Sequence, residues 1–148
     1  MTTYRKLAES AMAQLTPFFT QIKPSWTATA TLPGGEDMTT PQALSAALIS
    51  KHNWLDAAIA KRWAITYGSR SWQLLDGVQS LSEMGEHIGS GLYSREVDYL
   101  CRQEWALDAQ DILWRRTKLG LFTTAAEQER LAHYMASLNL KQRKVEAA

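Results

Sequence analysis

Apolar residues recur along this chain at helical spacing, and polar caps and turns separate the resulting segments. The first stripe predicts a helix from about Tyr4 to Leu15, with Thr3 as its N-cap and Pro17 limiting its length. Its apolar members are Leu7, Ala8, Ala11, Met12 and Leu15. This pattern is typical of a helix that buries one face.

Six further helices follow from the same reasoning. Their predicted caps or first residues are Thr40, Asn53, Ser69, Ser94, Asp108 and Thr124. The second helix is expected to end near Lys51, the third near Gly68 and the fifth near Trp105. Glu127 lies three residues after Thr124, which predicts a capping box for the seventh helix.

Between the first two helices the periodicity disappears among Thr, Pro and Gly residues, which predicts one long irregular loop near residues 23-38. No stretch alternates convincingly between apolar and polar positions, and Trp26–Leu32 is the nearest candidate for a strand. The sequence therefore predicts an all-α fold, an irregular orthogonal bundle of about six to seven helices that forms a single domain over residues 1-148.

Composition excludes several classes of protein. The formal net charge of +1 over 148 residues lacks the electrostatic footprint of a nucleic-acid binder. Cys101 is the only cysteine, so no internal disulfide forms, and its helical spacing with Val97 and Leu100 favours a buried apolar role. Because no run approaches the ~18 apolar residues of a membrane span and no signal peptide is recognisable, we expect a soluble, cytoplasmic chain.

Residues with catalytic or metal-binding chemistry are not clustered in the sequence. His52, His87 and His133 lie far apart, and none pairs with another ligand at helical spacing, so no metal site is predicted. Neither a nucleophile elbow nor a phosphate-binding loop is present. The chain alone therefore predicts no catalytic residue.

The segment from Glu104 to Leu121 combines a helix cap, a helix end and three cations. Asp108 is expected to cap its helix, and Gly120 to end it in a left-handed turn. Asp111 and Arg115 form an i, i+4 pair of favourable orientation. This segment holds more local structural information than any other.

Two side chains of this segment predict contacts beyond their own helix. Arg116 falls on the apolar row and must turn inward, so we predict a structural ion pair with the carboxylate of Glu104. Trp114 instead shares its face with polar residues. It is expected either to pack under a long loop or to form an interface with another domain or subunit, and both alternatives stay open.

Four segments, taken in chain order, resemble one known family. They are Thr2–Glu9, Leu32–Gly35, Tyr67–Ser69 and Glu104–Leu121. Together they look like the C-terminal helical cap domain of the FAD-dependent, aerobic glycerol-3-phosphate dehydrogenases, and the likeness runs to about Leu121. The resemblance implies that the whole enzyme moves a hydride from C2 of sn-glycerol 3-phosphate to FAD, forms dihydroxyacetone phosphate and reduces a membrane quinone.

The same resemblance implies different roles for this chain and for the rest of such an enzyme. That family places its flavin-binding unit in an N-terminal portion that this sequence lacks, so FAD is expected in the parent enzyme and none in this chain. The chain itself is expected to be non-catalytic and structural, with its own N-terminal flavin domain as partner. A homodimer and a peripheral position on the inner face of the cytoplasmic membrane are further expectations for the parent, and nucleic acid is not expected.

Thr2 and Thr3 are the candidate cofactor-binding residues that this resemblance supplies. In the family this segment runs into a helix whose N-terminus points at the flavin. A helix N-terminus carries unpaired N–H groups and partial positive charge, which suit the negative charge that gathers at N1 and the C2 carbonyl of reduced flavin.

The alternative function for the chain is a free-standing helical protein-interaction module that uses Trp114 and the long loop.

Overall fold

The computed structural model describes residues 3–19, 21, 23–37 and 40–146, with side chains as far as residue 138. The chain divides into two compact units, which we call unit 1 (Met1–Pro33) and unit 2 (Gly34–Ala148). Each unit is described by itself below.

Unit 1 consists of helix α1 (Tyr4–Leu15), a 3-10 turn (Thr16–Phe18) and an irregular segment. The bounds of α1 and its cap agree with the prediction. Its apolar stripe, however, is not buried: no residue of α1 is buried, and Leu7 is 64% exposed. Residues 23–37 contain neither helix nor strand, which confirms the long loop over its described part.

Unit 2 contains the remaining helices. They are α2 (Pro41–Lys51), α3 (Ala57–Thr66), α4 (Ser71–Leu74), α5 (Ser94–Gln103), a π-helix (Asp111–Arg116) and α6 (Ala125–Glu146). Three short 3-10 segments, Gly68–Arg70, Leu81–Met84 and Leu119–Leu121, lie between them. The mainly helical fold is therefore the one that the sequence predicted.

A small antiparallel hairpin was not predicted. Strands β1 (His87–Gly89) and β2 (Leu92–Tyr93) pair with His87 opposite Tyr93. Three consecutive residues at its turn, Gly89, Ser90 and Gly91, have positive φ values. This turn brings together two stretches that are too short to show the alternation of a strand in the sequence.

Local capping explains most helix starts. Thr40 accepts a hydrogen bond from the N–H of Ala43 at 3.1 Å, as predicted for α2. Thr124 and Glu127 form the predicted reciprocal capping box, with N···O distances of 3.3 and 2.7 Å.

Two predicted caps are wrong. Asp56, not Asn53, caps α3, because its carboxylate accepts both the Ala58 and Ile59 N–H groups at 2.8 and 3.1 Å. Ser94 does not cap α5, because its hydroxyl accepts instead from the N–H of Glu86 at 3.0 Å.

The core of unit 2 gathers residues from all of its larger helices. Its largest fully buried apolar side chains include Leu48, Trp63, Leu74, Ile88, Leu100, Ile112 and Leu131. Cys101 packs half-buried against this core, and burial raises the pKa of its thiol. Within the described ranges, no helix combines the length and apolar composition needed to cross a bilayer.

Candidate functional site

The predicted cofactor-facing residues lie at the start of α1, in unit 1. Thr3 has an extended backbone, and its hydroxyl oxygen accepts from the N–H of Lys6 at 3.5 Å. Thr2 lies outside the described residues. The structure therefore places Thr3 as an N-cap, while the cofactor contact of both threonines stays a prediction.

The first turn of α1 is positively charged. It carries Arg5 and Lys6 and no acidic residue. Cations are unfavourable at this end of a helix, where the macrodipole is already positive. A negatively charged group near this end would therefore be stabilised by the helix dipole.

Glu9 connects this first turn to the long loop. Its carboxylate lies 2.8 Å from the Arg5 guanidinium and 3.3 Å from the Lys6 ammonium. The hydroxyls of Thr27 and Ser25 donate to the same carboxylate at 2.5 and 2.9 Å. These hydrogen bonds, that of Thr27 foremost, lower the pKa of Glu9 to about 2. Among the described residues of unit 1, polar contacts and not a buried core thus connect α1 to the loop.

An open groove of about 840 Å³ runs between α1 and the loop. Apolar and aromatic side chains supply much of its lining, including Tyr4, Ala8, Met12, Trp26 and Leu32. Since several of these side chains are exposed, unit 1 presents an uncovered apolar surface.

In unit 2 the fold brings together Gly34 and Ser69, which come from two of the segments that carried the family resemblance. The N–H of Ser69 donates to the carbonyl of Gly34 at 2.8 Å. The carboxylate of Glu36 accepts from the Ser69 hydroxyl and the Gly34 N–H at 2.6 and 2.7 Å. These bonds, that of the Ser69 hydroxyl foremost, lower the pKa of Glu36. Gly34, Glu36 and Ser69 therefore meet at one junction within unit 2.

A buried ion pair, which was not predicted from the sequence, lies beside this junction. Arg62 contacts the fully buried carboxylate of Glu96 through two nitrogens at 2.5 and 2.8 Å. The hydroxyl of Tyr67 donates to Glu96 at 2.6 Å. Burial, and then the nearby negative charge of Glu96, raise the pKa of Tyr67 well above its ordinary value. Arg62 on the apolar row of α3 was the available indication in the sequence.

The segment after α5 shows most of the predicted capping. Asp108 accepts from the N–H of Asp111 at 2.8 Å, and Asp111 accepts from Arg115 at 2.5 Å. Gly120 does not take the predicted left-handed turn. Lys118 takes it instead, with φ 61°. Gly120 instead leaves room for the ring of Trp114, since a Cβ there would lie 2.4 Å from it.

The predicted ion pair between Arg116 and the carboxylate of Glu104 is wrong. The Nε of Arg116 donates to the backbone carbonyl of Glu104 at 2.8 Å. The carboxylate of Glu104 lies 3.4 Å from the guanidinium of Arg70. The end of α5 leaves the backbone carbonyl of Glu104 without an intrahelical partner. This uncharged acceptor binds the half-buried Arg116 in place of the predicted carboxylate. Trp114 keeps 36% of its surface exposed, and its interface role stays a prediction.

The loop between α5 and the π-helix has an exposed apolar tip that the sequence analysis did not single out. Trp105 is 81% exposed and has a left-handed backbone, with φ 54°. Leu107 is 78% exposed, whereas Ala106 between them is buried. We call Trp105–Leu107 the Trp105 loop.

Comparison with known proteins identifies the family of this chain. Residues 25–142 match the family described as the C-terminal domain of alpha-glycerophosphate oxidase. The chain belongs to this family. It is 60% identical to a glycerol-3-phosphate dehydrogenase of Pseudomonas tolaasii and 57% identical to one of Pseudomonas aeruginosa, over its whole length in both cases. It is 40% identical to the aerobic glycerol-3-phosphate dehydrogenase of Escherichia coli over 91% of its length.

The domain is much shorter than these relatives. It spans 29% of each Pseudomonas protein and 27% of the Escherichia coli protein. The relatives therefore contain further domains beside the part that this chain matches.

Proposed function

We propose that this chain is the C-terminal domain of a flavin-dependent glycerol-3-phosphate dehydrogenase and is non-catalytic by itself. The whole enzyme would convert sn-glycerol 3-phosphate and quinone into dihydroxyacetone phosphate and quinol. Support comes from the family of the domain and from three relatives that are named glycerol-3-phosphate dehydrogenase.

The uncovered face of α1 is the structural observation that carries this proposal. An amphipathic helix of twelve residues gains little stability unless its apolar face packs against something. No residue of α1 is buried, and the groove beside it is apolar. The parent's own N-terminal flavin domain is the proposed partner for this face.

The start of α1 fits a cofactor that becomes negatively charged on reduction. Bound FAD supplies a hydride acceptor to the parent enzyme. On the side of this chain, Thr3 caps the helix, and the helix dipole places partial positive charge at this end. We propose that Thr2 and Thr3 lie beside the flavin, where the helix N-terminus favours its reduced, anionic form.

Three further features of the parent enzyme belong to the proposal. The enzyme would be cytoplasmic and bound peripherally to the inner face of the cytoplasmic membrane, where quinone is available. The acceptor quinone itself is not specified by this domain. A homodimer is compatible with the exposed position of Trp114.

A domain exchange tests the proposed function. In the Pseudomonas tolaasii relative, the region matching this chain is replaced by this chain, which gives a full-length hybrid. We expect the purified hybrid to contain flavin and to reduce a soluble quinone analogue in the presence of sn-glycerol 3-phosphate. The unmodified relative is the positive control, and the 148-residue chain alone is expected to be colourless and inactive.

Two results would contradict the proposal. A hybrid that is folded and flavin-loaded but inactive would show that this domain does not serve such an enzyme. A 148-residue chain that binds flavin stoichiometrically would show that it is not a non-catalytic domain. A free-standing interaction module, the alternative from the sequence, predicts the first of these results.

A further inference from the structure

The Trp105 loop exposes two large apolar side chains on a backbone that is firmly held. The N–H of Ala106 donates to the carbonyl of Leu100 at 3.1 Å, and the N–H of Leu107 donates to Asp111 at 2.9 Å. Arg116 holds the carbonyl of Glu104 on the other side. Trp105 and Leu107 are therefore exposed on a hydrogen-bonded backbone and not on a weakly held loop.

Trp105 also has an unfavourable backbone conformation. A bulky residue rarely adopts a left-handed φ, and such strain is concentrated at sites where a function requires it. A glycine at this position would remove the strain. The presence of tryptophan instead of glycine indicates that the exposed indole contributes to a function.

The charges around the loop indicate the kind of partner. Residues 98–118 contain four acidic and four basic side chains, so the segment has no net charge. Three of these acids are already paired, Asp98 with Arg102, Asp111 with Arg115 and Glu104 with Arg70. An apolar centre with a polar rim is typical of a protein interface, whereas an anionic membrane surface would select for net positive charge.

We propose that the Trp105 loop is a docking anchor for the N-terminal polypeptide of the parent enzyme, inserted into a pocket of that polypeptide. The proposal rests on the proposed function, since it takes the occupant from the larger part of each relative that this chain does not match. It adds a second contact surface, in unit 2, to the α1 face of unit 1. Tryptophan is one of the residue types that are enriched at the energetic centre of such interfaces.

The test compares one substitution in two contexts. Trp105→Ser is introduced into the isolated chain and into the full-length hybrid described above. We expect the unfolding midpoint of the isolated chain to remain unchanged, because the side chain is exposed there. In the hybrid we expect the amides of residues 105–107 to exchange with solvent about 30-fold faster, the effect of losing an interface hot spot.

Two further variants control for misfolding and for general surface effects. Trp105→Gly permits the left-handed backbone, so it should raise the stability of the isolated chain while weakening docking in the hybrid. Ile65→Ser makes the same apolar-to-polar change at another exposed position, on α3, and should affect the two contexts equally.

The outcomes separate this inference from the proposed function. An active hybrid in which Trp105→Ser changes neither exchange nor stability would overturn the docking proposal and leave the function intact. A flavin-loaded but inactive hybrid would overturn the proposed function, and with it the occupant. If the isolated chain forms dimers or binds vesicles of anionic lipid, and Trp105→Ser abolishes either property, the occupant is a second copy or a membrane and the proposal is wrong.

Discussion

The backbone of Gly68 lies directly against that of Gly34. A Cβ atom on Gly68 would lie 1.8 Å from the carbonyl oxygen of Gly34, closer than any side chain permits. Both glycines have positive φ values, 57° and 90°. This crossing explains why two short segments, distant in sequence, are glycine-containing in the same protein.

Substituting Gly68 should therefore destabilise unit 2 strongly. Gly68→Ala forces backbone against backbone and also strains the left-handed φ, so we expect a loss of about 3 kcal/mol or more in the free energy of unfolding. Chemical denaturation of the 148-residue chain measures it. Gly77 provides the matched control, because it has φ 73° and nothing within 4 Å of an added Cβ. Gly77→Ala should lose only about 1 kcal/mol; equal losses at both sites would disprove the close crossing.

The buried pair of Arg62 and Glu96 predicts an asymmetric response to mutation. Arg62→Met leaves the fully buried Glu96 carboxylate without its cation, and we expect a loss of about 3 kcal/mol in the free energy of unfolding. The double variant Arg62→Met/Glu96→Leu removes both charges and should be more stable than Arg62→Met alone. Urea denaturation checks this order, and a double variant less stable than the single one would contradict it.

Glu9 should retain its charge to unusually low pH. Its pKa is lowered from the ordinary value of 4.5 to about 2 in the folded chain, with the Thr27 hydroxyl as the largest cause. A lowered folded-state pKa means that the tie between α1 and the loop is fully present above pH 4.5. The tie weakens as the pH falls toward 2.

Carboxyl-carbon NMR titration of Glu9 measures this pKa. Thr27→Val removes the principal donor and should raise the pKa of Glu9 toward 4.5. An unchanged pKa in Thr27→Val would show that the loop does not contact Glu9 in solution.

Arg116 and Glu104 should act independently of each other. Arg116→Met loses one hydrogen bond to a carbonyl, which predicts a loss of about 1 kcal/mol. Glu104→Gln affects only a partly exposed pair with Arg70 and should lose less than about 1 kcal/mol. A double-mutant cycle measures the coupling between the two substitutions. We expect this coupling energy to be near zero. A coupling energy above about 1 kcal/mol would instead support an ion pair between Arg116 and Glu104.

Local chemistry made several elements predictable. The bounds of α1, the start of α2 at Pro41 and the Thr124–Glu127 capping box depend on contacts three or four residues apart, which the order of residues contains. The same holds for the Asp108 cap and the Asp111–Arg115 pair. The family resemblance, too, depended on short contiguous segments.

Errors arose where two acceptors or two backbone conformations competed. Asn53 and Asp56 are both good caps, and only the turn at residues 52–55 decides between them. Arg116 needed an acceptor, but the choice between the carbonyl and the carboxylate of Glu104 depends on where Arg70 lies. Lys118 and not Gly120 takes the left-handed turn, while Gly120 leaves space for the ring of Trp114.

The residue order alone predicts the helical class of this protein, most of its helix starts and its family, because these depend on periodicity, caps and contiguous motifs. It does not predict the Gly34–Gly68 crossing, the Arg62–Glu96 pair or the exposure of Trp105. Each of these depends on which segments meet after folding and which surfaces remain uncovered. These contacts and this exposure arise from the packing of the helices, so only the tertiary structure decides them.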